Sequence, residues 1–381
     1  MKKKYRFLAS ATLAALLLAA CSDEKAEQQA VDENVSSELA LSEESRIIID
    51  ELNREVDITS TERVVMGSIL PYFSTWFVAT NSTDEIVGIH PNSYNAAAHS
   101  ILKEISPSIV DAKTNFIENG EVNIEQLMTL EPDVFFEAAA QEKTVNKLAE
   151  TGITTVALDT NTTTLDPLDT FKRWLAITGN ITGTTERPDE ILAEAEANQQ
   201  MINDTLADAG VTDADKPRVF FLQYHSNGEI STAGTNMHGN RWLNATGGID
   251  VAAEAGIDGI KAINMEQVYE MNPDIIFITN FTETQPEDLY NNVFEGQDWS
   301  EVKAVQDKKV YKMPLGIYRW YPPSGDAPLM LKWMAQKLHP ELFTYEIGDE
   351  IKDYYSRYYD YDLTDDEVQN ILHPSSEAAK Y

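Results

Sequence analysis

The stretch NIEQLMTLEPDVFF at 123–136 returns as NMEQVYEMNPDIIF at 264–277. Six of the fourteen positions are identical, and most of the others exchange one apolar residue for another. Two copies 141 residues apart require a fold that uses one local unit twice. In the first copy Asn123 can cap a helix, and Ile124, Leu127, Met128 and Leu130 give that helix a buried face. Pro132 stops the helix, because the residue before a proline avoids helical geometry. Asp-Val-Phe-Phe then runs as a strand, so the unit reads as helix, tight turn, strand.

The flanking sequence extends this pattern. RIIIDELNREVDI (46–58) alternates, turns and alternates again, as a hairpin would, although the turn lacks glycine. RVVMGS (63–68) and EIVGIH (85–90) read as strands, with a helix from Pro71 to Thr80 between them and a polar loop over Pro91–Tyr94 after them. TVNKLAETG (144–152) is a helix and ITTVAL (153–158) a strand. From Leu168 the alternation stops: TFKRWLAIT (170–178) and DEILAEAEANQQMINDTLADAG (189–210) are helical in succession. Alternation then restarts with RVFFLQY (218–224), a helix near 240–246, the second copy of the unit, VYKMP (310–314) and APLMLKWMAQKL (327–338). Strands alternating with helices form mainly parallel sheets flanked by helices. The expected fold is therefore α/β: two similar lobes joined by a single long connecting helix, with a cleft between the carboxyl ends of the two sheets.

The ends and the charge bound the class of function. MKKKYRF, then an apolar run, then Leu18-Ala19-Ala20-Cys21 describes a secretory signal too short to span a membrane as a mature helix. Cys21 is the only cysteine, so an intramolecular disulfide is excluded. Residues 22–45 hold eight acids, one lysine and no aromatic residue, the composition of a solvated tether. The formal charge of −34 argues against nucleic acid or an anionic lipid surface as a partner. The chain has no GxSxG, HExxH or P-loop motif, and its acids are a bulk property, so no enzyme is expected. The expected organisation is a signal at 1–20, a tether at 21–45, an N-terminal lobe at 46–165, a connecting helix at 166–186, a C-terminal lobe at 187–372 and a tail at 373–381.

With these segments in place, the chain resembles the metal-chelate, siderophore, haem and vitamin B12 binding lipoproteins of bacterial ABC importers. The opening hairpin, both copies of the unit, WSEVKAVQDKKVYKMP (299–314), PPSGDAPLMLKWMAQKLHPELF (322–343) and YYSRYYDYDLTDDEVQNIL (354–372) carry the likeness, which covers nearly all of 46–372. Asn53 stands where the family often has glycine. The resemblance implies the fold class of class III solute-binding proteins, cleavage before Cys21 and a lipid on its sulfur. It implies a monomer working with a permease dimer and a cytoplasmic ATPase, and Glu125 and Glu266 as the two carboxylates that dock on permease arginines. Without that docking role, the same two acids would simply favour their helix dipoles.

Cleft residues should follow the strands. The first lobe offers Tyr72, Tyr94 and Glu137; the second offers Tyr224, His225, Arg241, Trp242 and the run GIYRWYPPSG (316–325) with Tyr318, Arg319 and Trp320. Aromatic residues in a stiff loop suit a flat ligand, and arginines suit a carboxylate or catecholate. The alternative for the aromatic residues, Trp242 and Trp320 above all, is ordinary packing. The six histidines have no i, i+4 spacing, so neither a metal ligand set nor a protein cofactor is expected. The expected ligand is a ferric siderophore or similar metal chelate. Haem, cobalamin, a nickel chelate or an oxyanion remains open, as does a scaffold or adhesion lipoprotein.

Overall fold

The computed structural model describes residues 46–160 and 166–379. The signal, Cys21 and the tether lie outside the described residues. Strands β1 (Arg46–Ile49) and β2 (Glu55–Ile58) pair as the opening hairpin. Its turn holds Asn53 at φ 59°, a left-handed position that asparagine tolerates where glycine is absent. Asp50 accepts from the Arg54 amide and guanidinium and from the Ala157 amide at 3.1 Å, fastening the hairpin to the first sheet.

That sheet contains β3 (Val64–Met66) and β4 (Ile86–Ile89), and, after a small hairpin of β5 (Ile117–Glu118) and β6 (Glu121–Val122), β7 (Val134–Ala138) and β8 (Thr155–Leu158). Its order is β4-β3-β7-β8, all parallel. The helices are α1 (Tyr72–Thr80), α2 (Pro91–Ala98), α3 (Leu102–Ile105), α4 (Ile124–Met128) and α5 (Glu142–Glu150). Pro91–Tyr94, expected as a loop, instead opens α2. Pro91 takes the first helical position, where its missing N–H costs nothing, and His90 Nδ1 accepts from the Asn92 amide at 3.1 Å. Helix α6 (Pro167–Thr182), capped by Asp166 and closed by Gly183 at φ 79°, and α7 (Glu186–Asp208) follow.

The second sheet is built from β9 (Arg218–Ser226), β10 (Glu229–Ala233), β11 (Ile249–Asp250), β12 (Ile260–Ile263), β13 (Ile275–Ile278) and β14 (Val310–Lys312). Its order is β12-β10-β9-β13-β14, with β11 also on β9. Pairs among β9, β11, β13 and β14 are parallel, but β9–β10 and β10–β12 are antiparallel. The antiparallel edge follows from Asn227 and Gly228 at φ 51° and 79°, the residue pair that tight hairpins require. Around this sheet lie α8 (His238–Thr246), α9 (Val251–Glu254), α10 (Met265–Met271), α11 (Pro286–Tyr290), α12 (Lys303–Gln306) and α13 (Ala327–Leu338). The chain then forms α14 (Ile347–Tyr359) and α15 (Asp365–Leu372).

The repeated unit makes the same bonds twice. Asn123 caps α4 and Asn264 caps α10, each by accepting from the amide three residues on. Asp133 Oδ2 accepts from the Arg63 amide and Asp274 Oδ2 from the Arg218 amide, both at 2.9 Å. Each arginine side chain also donates to a carbonyl at the end of its helix, Leu130 O or Met271 O. The unit thereby ties β7 to β3 and β13 to β9. One apolar cluster fills the outer face of the first sheet (Val65, Leu127, Phe135, Leu148) and another that of the second (Phe220, Val268, Ile276, Trp299). A third runs from Met66 and Phe136 through α1 and α6 to Phe221, Phe277 and α13, so the two sheets share one core.

Candidate functional site

The end of β9 and the loop after β13 enclose a cavity of about 680 Å³. Tyr224, His225 and Ser226 line it from β9, Phe281–Gln285 from the loop, and Asp288, Phe294, Ser376 and Ala379 complete it. This is the carboxyl end of the strands, where open α/β sheets place ligands. The loop is held from beneath by Lys312, the last residue of β14. Its Nζ donates to Thr279 O at 3.0 Å, Thr282 O at 2.5 Å and Thr284 O at 2.9 Å. Burial first, and Arg319 second, push the Lys312 amine down to about 7. No carboxylate pairs with it among the described residues.

His225 is held on both nitrogens. Gln297 donates its amide to Gly228 O, so its Oε1 is the acceptor 2.9 Å from Nε2. This geometry places the proton on Nε2 and leaves Nδ1 to accept from Thr284 Oγ1 at 3.0 Å. Burial lowers its pKa, and Phe294 packs on the ring at 4.1 Å. The imidazole is therefore neutral and occupied, and it shapes the cavity wall.

Arg319 lies behind Phe281, its guanidinium carbon 5.0 Å from the ring centroid, and is fully buried. Its Nη2 donates to Ala378 O at 3.0 Å. The loop that carries it is pinned by Asp326, which accepts from the Ile317 amide and Trp320 Nε1 at 2.9 Å and from the Tyr355 hydroxyl at 3.0 Å. Gly316 has no room for a side chain, because a Cβ there would sit 1.9 Å from Asp326 Oδ2. Two carboxylates stand near the cavity, yet Asp288 Oδ2 accepts from the Gln285 amide and Glu283 is exposed. Screening weakens exposed charges such as that of Glu283 more than buried ones.

Of the residues expected at the cleft, the structure brings Tyr224 and His225 to the cavity and Arg319 to its back wall. Tyr318 is buried beside Arg319 and meets Phe73 edge-on at 5.2 Å. Trp242, Trp320 and Tyr72 do not line it. Each is buried by its ring and held by its polar tip: Trp242 Nε1 on Tyr321 O, Trp320 Nε1 on Asp326, Tyr72 on Thr178 Oγ1. Tyr94 lines a separate crevice with Val110 and Lys113, and Arg241 is half-buried on α8. Glu137 is buried at the end of β7, where Oε1 accepts from the Ser68 and Ala138 amides at 2.8 Å. Burial raises its pKa. Phe281, Thr282, Thr284 and Lys312 were missed by sequence reasoning, although the strand-end rule that selected Glu137 applies equally to the residues after β13. Among the described residues no group of three His, Cys, Asp or Glu side chains could hold a metal ion, and no helix is long and apolar enough to cross a membrane.

A mainly parallel α/β fold with a cavity at the carboxyl ends of its strands is an arrangement suited to holding a small solute. Residues 74–315 match the model of the family described as periplasmic binding protein, and the chain belongs to that family. It is similar to the molybdate-binding protein MolA of Haemophilus influenzae, 27% identical over 334 residues that cover 82% of this chain and 91% of that protein. A periplasmic solute binding protein from Veillonella parvula has a similar structure, with TM-score 0.76, 30% identity and coverage of 86% of this chain and 97% of that one. The molybdate-bound structure of MolA superposes with TM-score 0.69 at 25% identity, covering 84% of this chain and 99% of the other.

Proposed function

We propose that this chain is the solute-binding component of an ABC importer and that it captures an anionic metal species in the cleft beside Arg319. The observation that carries this reading is the pair of buried cations, Arg319 and Lys312, behind the wall of a strand-end cavity in a chain of net charge −34. Cations held away from solvent attract a counter-anion more strongly than surface charges do. A cavity of about 680 Å³ with Tyr224 and Phe281 in its wall has room for an anionic ferric chelate. The similarity to MolA favours a second reading, an oxyanion such as molybdate. Cys21 would carry the lipid anchor. Glu125 and Glu266, exposed in the first turns of α4 and α10 and in no ion pair among the described residues, would dock on permease arginines.

Calorimetric titration with ferric tris-catecholate, molybdate, tungstate and nickel–histidine tests the reading. Binding of one anionic probe, with a loss of roughly a hundredfold in Arg319→Gln, is the expected result. Equal affinity in the wild type and Arg319→Gln, or binding of the nickel complex alone, would defeat it.

A further inference from the structure

The two copies of the repeated unit agree in exposure as well as in sequence. From 124 to 130 and from 265 to 271, each position is buried, half-buried or exposed alike in both. Leu127 and Leu130 enter the core beneath the first copy, and Val268 and Met271 that beneath the second. The neighbouring stripe of each helix faces solvent. It carries Glu125 and Met128 on α4 and Glu266 and Tyr269 on α10, each pair three residues apart and therefore on one face. The sequence pattern puts Met128 on the buried face, but with Leu127 turned inward the next residue points about 100° away. Met128 is 56% exposed and Tyr269 37%. The Tyr269 hydroxyl donates to Asp298 O at 2.6 Å, so the ring is what this residue offers a partner. A lone exposed methionine would need no explanation. Here a large apolar side chain recurs at one position of both copies, each time beside an exposed carboxylate. A crevice of about 600 Å³ opens at Thr129 and Leu130, and one of about 330 Å³ at the equivalent Glu270 and Met271.

We propose that Met128 and Tyr269 are the apolar anchors of the surface that meets the permease, one in each copy of the unit. This rests on the reading of Glu125 and Glu266 as docking carboxylates, and it assigns the two kinds of side chain different tasks. Like patches at equivalent positions fit a partner that presents the same socket twice, as a dimer does. The socket is an apolar recess rimmed by arginine, because each patch carries a carboxylate and a chain of net charge −34 repels an acidic partner. Methionine and tyrosine are side chains that interfaces favour, and once desolvated they govern how slowly a complex parts. Exposed carboxylates act earlier, on the rate and orientation of encounter.

The test measures association and dissociation rates of the mature chain on the permease dimer with its ATPase, purified from the same cells into lipid nanodiscs, at low and at high salt. Met128→Ser with Tyr269→Ser is expected to speed dissociation about tenfold or more and to change association less than about twofold. Met128→Leu with Tyr269→Phe keeps the apolar area and should dissociate like the unmodified chain; dissociation as fast as that of the serine pair overturns the anchors. Glu125→Gln with Glu266→Gln should slow association, most of all at low salt. Unchanged dissociation in the serine pair, with association still slowed in the glutamine pair, overturns the anchors and leaves the docking reading standing. Faster dissociation in the serine pair alone supports the anchors and removes the carboxylates. If neither pair alters either rate, or the unmodified chain does not bind the complex, the docking reading falls and the anchors with it. Sedimentation of the chain alone as a dimer that the serine pair dissolves assigns the patches to a second copy and also overturns the proposal.

Discussion

Asp326 shows how one side chain can hold a binding loop. Fully buried, it accepts from Ile317, Trp320 and Tyr355 on one oxygen and from the Tyr359 hydroxyl at 3.2 Å on the other, joining the Arg319 loop to α14. Burial raises its pKa from 3.8 to about 6, against the pull of those donors. A carboxyl raised in this way keeps its proton in the folded state after the unfolded chain has lost it. Its contribution is therefore full below the unfolded value and is lost as pH rises through about 6. Asp326→Ala strands several buried donors and should cost about 3 kcal/mol or more in urea unfolding, with probe affinity falling as the loop loosens. Lys312 titrates in the opposite sense. Its folded pKa of about 7 lies below the ordinary 10.5, so its charged form is held at a cost that is relieved as pH rises from 7 towards 10.5. Arg319 opposes that charge, and Asp288 and Glu283 favour it. Anion affinity should fall from about pH 6 to about pH 8 in the wild type, and Lys312→Met should bind more weakly and flatten that profile. An unchanged slope in the variant would remove Lys312 from the account. None of this was legible in the sequence, because a lysine at the end of a strand gives no sign of the three carbonyls that will surround it.

At the scale of the element, the repeated unit predicted helix, turn and strand, and α4–β7 and α10–β13 are that unit. What the pattern did not reveal is its purpose: Asp133 and Asp274 each close a bond to the amide at the start of the neighbouring strand. Asn264→Ala should cost about 1 kcal/mol by denaturant titration, the usual loss for a cap. The charge reversals Glu125→Arg and Glu266→Arg lie on exposed first turns, so together they should leave probe affinity unchanged while abolishing uptake in cells. Normal uptake would exclude the docking role. The antiparallel edge was readable, since Asn227-Gly228 is a strong hairpin signal. It is overlooked when the strand is ended at Tyr224, because the run of apolar residues stops there while β9 continues to Ser226. Helix α2 was readable too, from a proline at its first position.

For the whole molecule, the shared core is the controlling feature. Apolar packing runs from Met66 through α1 and α6 to Phe277, so moving the sheets apart would expose that surface to water. Contacts such as Phe77 on Tyr359 at 5.4 Å strengthen that join. X-ray scattering should therefore give the same radius of gyration with and without bound probe, and a clear contraction would contradict a stiff join. Periodicity and punctuation determined by themselves that this chain would form mainly parallel α/β sheets flanked by helices, because those signals act within a few residues. Only the tertiary structure decided which aromatic residues became core, which cations were buried, and that Ser376–Ala379 would lie against Arg319. These outcomes depend on groups far apart in the chain competing for one desolvated space, and no local pattern encodes the result of that competition.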